Sequence, residues 1–280
     1  MKIKSNAKIN LSLKVIGKEM SLFGTGCLHY IESVMVPINI YDYIEINESA
    51  TDEIIGMDIP MESNLMYKAL CKVRDKFKIK KCVKIIIDKR IPVFAGLGGG
   101  SGNAASIILA LNKMWGLSMT FEEMINLGKE VGSDVSFFIV NEPSFVYGTG
   151  DKIKPIIEFN KIKGILVFDG DKSSTKEVYE NIDMFPFSEP IGNDELKNVT
   201  SNNGNIEYVN DLEKGLNLSM VEKINQIKRE LKLCGAKSAL MSGSGGSVFG
   251  IFEEEEKMNL CYDRLKKMYQ FIFKFESLSR

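Results

Sequence analysis

The chain lacks several features that mark common functional classes. Its 280 residues contain 36 Lys and Arg against 37 Asp and Glu, so it has no excess of positive charge. Proteins that bind nucleic acid or anionic membranes usually carry such an excess, because phosphate neutralisation supplies much of their affinity. No run of apolar residues approaches the ~18 of a membrane span, and residues 1–13 lack the apolar block of a signal peptide. We therefore expect neither a polyanion-binding protein nor a membrane protein.

Histidine and cysteine are too few and too scattered for a structural zinc site. The sequence has one histidine, His29, and five cysteines without a C-x-x-C pair. A structural zinc ion takes four such ligands, usually at short spacings. The odd number and wide separation of the cysteines favour reduced thiols. We expect a cytoplasmic protein without structural zinc.

Glycine, in contrast, is abundant. There are 24 glycines against seven prolines, and many of the glycines lie in two short segments, residues 96–102 and 242–246. This distribution is not that of a linker. We expect these glycines to lie in tight turns or at positions where the backbone closely approaches another group.

Periodicity predicts a mixed α/β chain. Alternating apolar residues predict strands over residues 3–15, 34–46, 83–88, 162–168 and 271–275. Helical spacing predicts helices over residues 63–77, 103–115, 174–182, 220–233 and 253–269, and a Thr120–Glu123 capping box predicts one more that ends at Gly132. Residues 188–205 are polar and predict a long surface loop or an ordered insertion. Lys8 and Asn10 share the polar face of the first strand, which should be exposed or face a site.

Residues 96–102 lead into the helix predicted from Asn103, as a phosphate-binding loop does. Free first-turn N–H groups and missing Cβ atoms suit an anion there. The P-loop pattern is excluded, because no lysine occurs between Arg90 and Lys113. The Rossmann pattern is also weakened, because Ser101 stands where its third glycine would be. The open interpretations are a different phosphate loop, or a turn that packs a strand tightly against a helix.

The segment from Pro92 to Ala105, P-x-x-A-G-L-G-G-G-S-x-x-A-A, resembles the phosphate-binding motif of the GHMP small-molecule kinases, such as galactokinase, homoserine kinase and mevalonate kinase. Further motifs agree with that superfamily in order across nearly the whole chain: Ala7-Lys8-Ile9-Asn10-Leu11, Asn64-Leu65, Gly132-Ser133-Asp134-Val135, Gly148-Thr149-Gly150-Asp151, Ser174-Thr175 with Val178-Tyr179, Asn210-Asp211-Leu212-Glu213 and Met241-Ser242-Gly243-Ser244-Gly245. Within it they most resemble the branch that phosphorylates a cytidine-diphosphate-linked sugar alcohol.

The resemblance implies an α/β fold of two α+β domains. Residues 1–155 would form an ATP-binding and catalytic domain similar to ribosomal protein S5 domain 2, and residues 156–280 a ferredoxin-like domain. It also implies an ATP-dependent phosphotransferase that uses Mg²⁺ and a small-molecule acceptor. No nucleic-acid or membrane partner is implied, and the protein would be a monomer or homodimer.

The resemblance also implies roles for particular residues. Asp134 would accept the proton of the acceptor hydroxyl, with the ammonium of Lys8 nearby. The ATP-binding residues would be Pro92, Ala95, Gly96, Leu97, Gly98, Gly99, Gly100, Ser101, Gly102 and Asn64, with Ser101 also a weak candidate metal ligand. The substrate-binding residues would be Asn10, Leu28, His29, Ser242, Gly243, Ser244 and Gly245. Taken singly, Asp134 also suits a helix N-cap or a turn, and Lys8 a solvated surface position.

One departure from the family concerns the cytidine group. Leu28 stands where family members usually have a tyrosine that stacks on the cytosine, and it follows a longer segment, residues 21–27. Base stacking contributes about 1–3 kcal/mol, and Tyr30 and Phe23 are possible substitutes. The alternatives are a GHMP kinase with a non-cytidine acceptor, namely homoserine, mevalonate or a sugar, and a non-catalytic ATP-binding protein on the same fold. A nicotinamide-dependent oxidoreductase is the outside alternative.

Overall fold

Two long strands open the chain in the computed structural model, which describes residues 1–20, 27–171, 173–201 and 208–278. Over these residues the strands β1 to β10 are Lys2–Met20, Cys27–Ser49, Glu53–Ile55, Cys82–Asp88, Ser144–Gly148, Lys152–Pro155, Lys163–Phe168, Ser238–Met241, Ser247–Phe252 and Phe271–Glu276. The helices α1 to α8 are Leu65–Phe77, Gly99–Met114, Phe121–Val131, Val135–Val140, Thr175–Ile182, Asn193–Ser201, Leu218–Leu233 and Glu255–Leu265. Short 3-10 turns lie at Met61–Ser63 and Asp211–Gly215.

The chain forms two compact units whose segments alternate along the sequence. The first unit comprises Met1–Ala7, Ile40–Val93 and Gly98–Asn141, and the second comprises Lys8–Asn39, Phe94–Leu97 and Glu142–Arg280. These units differ from the predicted domains because β1 and β2 have 19 and 23 residues. At about 3.3 Å per residue such strands exceed the usual length several-fold, and each contributes to both units. The boundary after residue 155 stays a prediction.

The first unit combines a sheet with the helices α1 to α4. The C-terminal part of β2 pairs antiparallel with β4, which pairs parallel with β3. The amphipathic spacing predicted for α1 is confirmed: Met66, Ala69, Leu70 and Val73 are its buried residues. The capping box that begins α3 at Thr120 is also confirmed, as is its end at Gly132.

The second unit contains an antiparallel sheet in the order β10-β7-β9-β8. Its strands and main helices follow one another as β-α-β-β-α-β, with α7 before β8 and α8 before β10. This is the connectivity of a ferredoxin-like domain, so the expected C-terminal arrangement is confirmed. The N-terminal part of β2 pairs with β5, which continues to β6. In the part of the chain that the structure describes, no helix is long and apolar enough to cross a membrane.

Two local predictions need correction, and for two others the structure decides between the alternatives stated. The second helix begins at Gly99 rather than Asn103, because Gly98 adopts φ +66° and turns the chain into the helix early. Residues 188–205 contain helix α6, while residues 202–207 lie outside the described ranges. The closing helix spans only Glu255–Leu265. Finally, the polar face of β1 is not exposed, since Lys8 and Asn10 are only 4% and 2% exposed.

Candidate active site

The first unit holds the start of α2, where the three glycines have different surroundings. A Cβ on Gly99 would lie 2.9 Å from Ile91, and one on Gly102 would lie 2.8 Å from the carbonyl oxygen of Asn6. These two glycines therefore allow the helix to pack closely. A Cβ on Gly100 would meet nothing nearer than Leu65, at 3.8 Å. Among the described residues no side chain caps α2, so its first-turn N–H groups suit an anion.

A buried carboxylate that sequence reasoning missed fixes the segment leading to α2. Asp42 is fully buried and accepts hydrogen bonds from the backbone N–H groups of Arg90 and Ile91, both at 2.8 Å. It also accepts from Lys89 Nζ at 2.6 Å and from Asn103 Nδ2 at 2.9 Å. Burial lowers the pKa of Lys89, although Asp42 opposes the shift. The one sign of this role for Asp42 in the sequence is that a charged residue occurs in a predominantly apolar part of the strand.

Asp134 and Asn64 also belong to the first unit. Asp134 directly precedes α4 and is half-buried, but its side chain makes no capping hydrogen bond to that helix. Asp134 thus occupies a turn at the N-cap position of α4 without capping the helix through its side chain. Asn64 does cap a helix, because its Oδ1 accepts from the N–H of Met66 at 2.9 Å at the start of α1. Its Nδ2 group is the part that could reach a nucleotide.

In the second unit the two glycine segments touch each other. The Ser242 hydroxyl donates to the carbonyl oxygen of Gly96 at 3.0 Å, and the N–H of Ser247 donates to Ala95 at 3.2 Å. A Cβ on Gly96 would lie 1.9 Å from the carbonyl oxygen of Ser242, and one on Gly243 would lie 2.8 Å from Gly96. Within the second unit, Gly96 of the first glycine segment thus lies against Ser242 and Gly243 of the second.

Lys8 lies at that surface. Its backbone N–H donates to Leu97 at 3.0 Å, and its ammonium donates to Asn10 Oδ1 at 2.6 Å. A Cβ on Gly243 would lie 3.2 Å from the Lys8 ammonium. Because Lys8 is buried, the solvated-surface interpretation is wrong. The structure therefore brings together Lys8, Asn10, the segment Phe94–Leu97 and the second glycine segment.

Asn210 holds the second glycine segment in place and was missed as a site residue. Its Nδ2 donates to the carbonyl oxygens of Met241 and Gly243, at 2.9 and 2.8 Å. Its Oδ1 accepts from the N–H of Leu212 at 3.1 Å. The Asn-Asp-Leu-Glu motif was visible in the sequence, but its partner lies about thirty residues away. The next residue of that glycine segment, Ser244, has its hydroxyl 2.8 Å from Thr175 Oγ1.

His29 lies in a separate part of the second unit, beside an aromatic ring. Its Nε2 is 2.8 Å from Asp183 Oδ1, and its ring centroid is 4.9 Å from that of Tyr179 on α5. Lys18 Nζ contacts the other oxygen of Asp183 at 3.0 Å. Burial raises the pKa of Asp183, but the hydrogen bonds from His29 and Lys18 outweigh it and lower the pKa overall. Leu28 is 46% exposed and, as an aliphatic residue, provides no aromatic ring beside His29.

Tyr30 and Phe23 were proposed to replace the missing tyrosine, and only Tyr30 lies within the described residues. Tyr30 hydrogen-bonds Glu19, and this bond raises the pKa of the Tyr30 hydroxyl. Phe23 lies outside the described residues. The aromatic ring that the structure does place beside His29, Tyr179, belongs to a family motif in the sequence. Nothing local in the sequence indicated that this motif meets His29.

Phe94 is a further residue that the sequence did not single out. Phe94 lies between Val93 and Ala95, has φ +59° and is 67% exposed. A bulky residue at positive φ is strained, and such strain is often found at functional sites. A large ring in a glycine- and alanine-rich loop was the available signal.

The described residues offer no ready-made metal cluster. Over the described ranges, no group of three or more His, Cys, Asp or Glu residues is arranged to hold a metal ion. Ser101 lies half-buried in the first turn of α2. Mg²⁺ commonly binds proteins through one or two side chains together with substrate phosphates, so the residues present fit an ion that arrives with a nucleotide.

Comparison with known families gives two matches. The family model described as GHMP kinases N terminal domain matches residues 64–142. The family model described as GHMP kinases C terminal matches residues 194–270. Together they include the start of α2, Asp134, Asn210 and the second glycine segment.

Individual relatives are similar over almost their whole length. The 4-diphosphocytidyl-2-C-methyl-D-erythritol kinase of Clostridium botulinum (strain Alaska E43 / Type E3) is 34% identical, with 98% of both chains covered. The enzyme of the same name from Clostridioides difficile (strain 630) is 35% identical over 98% of this chain and 94% of its own. A crystal structure of 4-(cytidine 5′-diphospho)-2C-methyl-D-erythritol kinase has a TM-score of 0.85 at 23% identity, with 100% of both chains covered.

Proposed function

The chain belongs to the GHMP kinases, and from this we propose that it transfers the γ-phosphoryl group of ATP to the 2-hydroxyl of 4-diphosphocytidyl-2-C-methyl-D-erythritol. The observation that carries the proposal is the near-full-length identity of 34–35% to kinases named for that substrate. The reaction belongs to non-mevalonate isoprenoid precursor synthesis. We place the enzyme in the cytoplasm, as a monomer or homodimer that binds small molecules rather than nucleic acid.

Phosphoryl transfer needs positioning, charge neutralisation and an acceptor for the hydroxyl proton. We assign proton acceptance to Asp134, a half-buried carboxylate at the start of α4 within the Gly132-Ser133-Asp134-Val135 motif. The ammonium of Lys8 would stabilise the negative charge that develops on the attacking oxygen. The buried position of Lys8 supports this role, because a charge acts more strongly where water is excluded.

The start of α2 suits the phosphates of ATP. Its first-turn N–H groups point toward an anion and Gly100 leaves room for close approach. Mg²⁺ would be held mainly by those phosphates, with Ser101 as the hydroxyl on the protein side, and it would neutralise charge on the transferred group. Asn64 could contribute its Nδ2 group to nucleotide binding.

His29 and Tyr179 suit the cytosine of the acceptor. An aromatic face beside a hydrogen-bonding ring is what a nucleobase needs. Tyr179 would supply the aromatic face that Leu28 does not. The departure at Leu28 is then a relocation of the stacking surface and not a loss of cytidine recognition.

The substrate is tested by measuring ADP release with MgATP and a panel of acceptors. The panel contains 4-diphosphocytidyl-2-C-methyl-D-erythritol, the same alcohol without its cytidyl group, homoserine, mevalonate and a simple sugar. Rapid ADP release only with the cytidyl substrate is expected. Activity confined to an acceptor without cytidine would replace the substrate assignment with one of the other GHMP acceptors, and no activity with any acceptor would favour a non-catalytic ATP-binding protein.

The catalytic residues are tested by replacing Asp134 with Asn and Lys8 with Met. Each change should lower kcat by about 100-fold or more, as expected for loss of a proton acceptor or of an electrostatic contact. Lys14→Met is a matched control, since Lys14 lies on the same strand, is largely buried and pairs with Glu195 at 2.7 Å. That control should keep kcat within about twofold. Near-normal turnover in Asp134→Asn and Lys8→Met would refute the assignment.

A further inference from the structure

A chain of buried hydrogen bonds runs from the backbone of β1 to the ammonium of Lys8. The Ser33 hydroxyl donates to the carbonyl oxygen of Ser12 at 2.6 Å. Asn10 Nδ2 donates to Ser33 Oγ at 2.8 Å, and Lys8 Nζ donates to Asn10 Oδ1 at 2.6 Å. Ser33 is fully buried, like Lys8 and Asn10. Hydrogen-bond partners in such surroundings are costly to leave unsatisfied.

The direction of each bond follows from the chemistry of the groups. Ser33 has a single hydroxyl hydrogen, and the carbonyl oxygen of Ser12 can only accept, so that hydrogen points to Ser12. Ser33 Oγ must then accept from Asn10, which turns the NH₂ end of the amide toward Ser33. The oxygen end of the amide consequently faces Lys8, whose ammonium can only donate. A flipped amide would place two donors against each other.

We propose that Asn10 and Ser33 are positioning residues for Lys8. Ser33 sets the orientation of the Asn10 amide, and the amide oxygen holds the ammonium of Lys8 beside Gly243. Asn10 therefore also acts through Lys8, in addition to the substrate contact that the family resemblance implies. The inference rests on the proposed catalytic role of Lys8. It adds Ser33 to the determinants of turnover.

A purely structural role for Ser33 predicts a different result. Removal of its hydroxyl would then lower stability and leave the kcat of the folded enzyme unchanged, whatever residue occupies position 10. In the positioning role, the effect of Ser33 depends on the two different ends of the Asn10 amide. An aspartate at position 10 has two equivalent oxygens and presents an acceptor to Lys8 in either orientation. The dependence on residue 10 separates the two roles.

The experiment is a double-mutant cycle with Ser33→Ala and Asn10→Asp, with steady-state kinetics on the full-length enzyme. Ser33→Ala alone should lower kcat about tenfold, since a misplacement of about 1 Å can cost up to 10²-fold, while the KM for ATP changes less than about twofold. In the Asn10→Asp background the same change should lower kcat less than about twofold. Equal losses in both backgrounds would overturn the proposal, because coupling is its central claim.

Ser144→Ala is the matched control. Ser144 is also fully buried in the second unit, and its hydroxyl donates to the carbonyl oxygen of Glu142 at 2.8 Å. This variant should keep kcat within about twofold, with a fall in melting temperature similar to that of Ser33→Ala. A tenfold fall in kcat for Ser144→Ala would show that any lost buried hydroxyl has this effect, and would overturn the proposal.

Two further variants keep the test decisive if Ser33→Ala does not fold. Asn10→Leu removes this acceptor for Lys8 at similar size and should lower kcat at least tenfold, whereas Asn10→Asp retains an acceptor and should lower kcat less. Equal kcat in these two variants would overturn the proposal. A separate result, near-normal kcat in Lys8→Met, would instead refute the proposed role of Lys8, so the two failures are distinguishable.

Discussion

Gly96→Ala probes the contact between the two glycine segments of the second unit. A Cβ at this position would lie 1.9 Å from the carbonyl oxygen of Ser242 and 3.1 Å from that of Gly245. Both obstacles are backbone atoms, which cannot move aside as the end of a flexible side chain can. The residue also has φ +75°, where a side chain is strained. The substitution must therefore push the second glycine segment away or distort the first.

The two contributions have separate magnitudes. A non-glycine residue in the left-handed region costs about 1–2 kcal/mol, and overpacking against a fixed neighbour adds about 1–3 kcal/mol. We expect Gly96→Ala to lose about 2–5 kcal/mol of unfolding free energy, out of the 5–15 kcal/mol typical of a native protein. Gly170→Ala is the matched control in the same unit, because Gly170 has φ +87° with nothing within 4 Å of the added Cβ. It should lose only about 1–2 kcal/mol.

Urea unfolding followed by circular dichroism measures both values, and equilibrium binding of MgATP gives a second readout. Gly96→Ala should also weaken MgATP binding about tenfold or more, because it displaces a loop to which we assign ATP binding. Gly170→Ala should leave MgATP affinity within about twofold. If Gly96→Ala costs no more stability than Gly170→Ala, the close approach of Gly96 to Ser242 is refuted.

Two further predictions concern the cytidyl site and the response to acid. Tyr179→Leu should raise the KM for the cytidyl substrate about tenfold, the low end of a base-stacking loss, while the KM for ATP stays within about twofold; equal rises in both KM values would contradict a cytosine-specific role. Hydrogen bonds from Arg74, both 2.6 Å long, lower the pKa of Asp52 below its ordinary 3.8. A carboxylate whose pKa is lower in the folded state stabilises the fold above its unfolded pKa, and this contribution is lost as pH falls through the folded value. When the pH is lowered from 6 to about 3, the unfolding free energy of Asp52→Asn, measured in urea titrations, should therefore fall less than that of the native chain. Equal falls in the two proteins would contradict this prediction.

The elements that sequence patterns predicted well have a single buried face. Helix α1 shows this, because its apolar residues recur at helical spacing and Asn64 caps it. The start of α2 was missed because glycine has low helix propensity, whereas here packing against Ile91 and Asn6 determines where the helix begins. The burial of β1 on both faces also depends on neighbours that no local pattern reveals.

In the candidate site, too, some residues could be predicted from the sequence and others could not. Motifs near Lys8 and in both glycine segments could be located because each is contiguous in the sequence. Partners far apart in the chain could not be predicted, as with His29 and Asp183, which lie 154 positions apart. The contact of Ser33 with Asn10, 23 positions away, could not be predicted from the sequence either. Long-range polar contacts of this kind depend on the tertiary fold and leave no periodic signal.

A chain with a net charge of −1 cannot attract ATP by an overall positive field. The affinity must then come from groups close to the phosphates. The N–H groups at the start of α2 are fixed dipoles, and the bond to Asn10 fixes the ammonium of Lys8. Groups oriented before the substrate binds cost little reorganisation during the reaction. In the proposed function these oriented groups supply locally the attraction for phosphate that a basic surface supplies in a polyanion-binding protein.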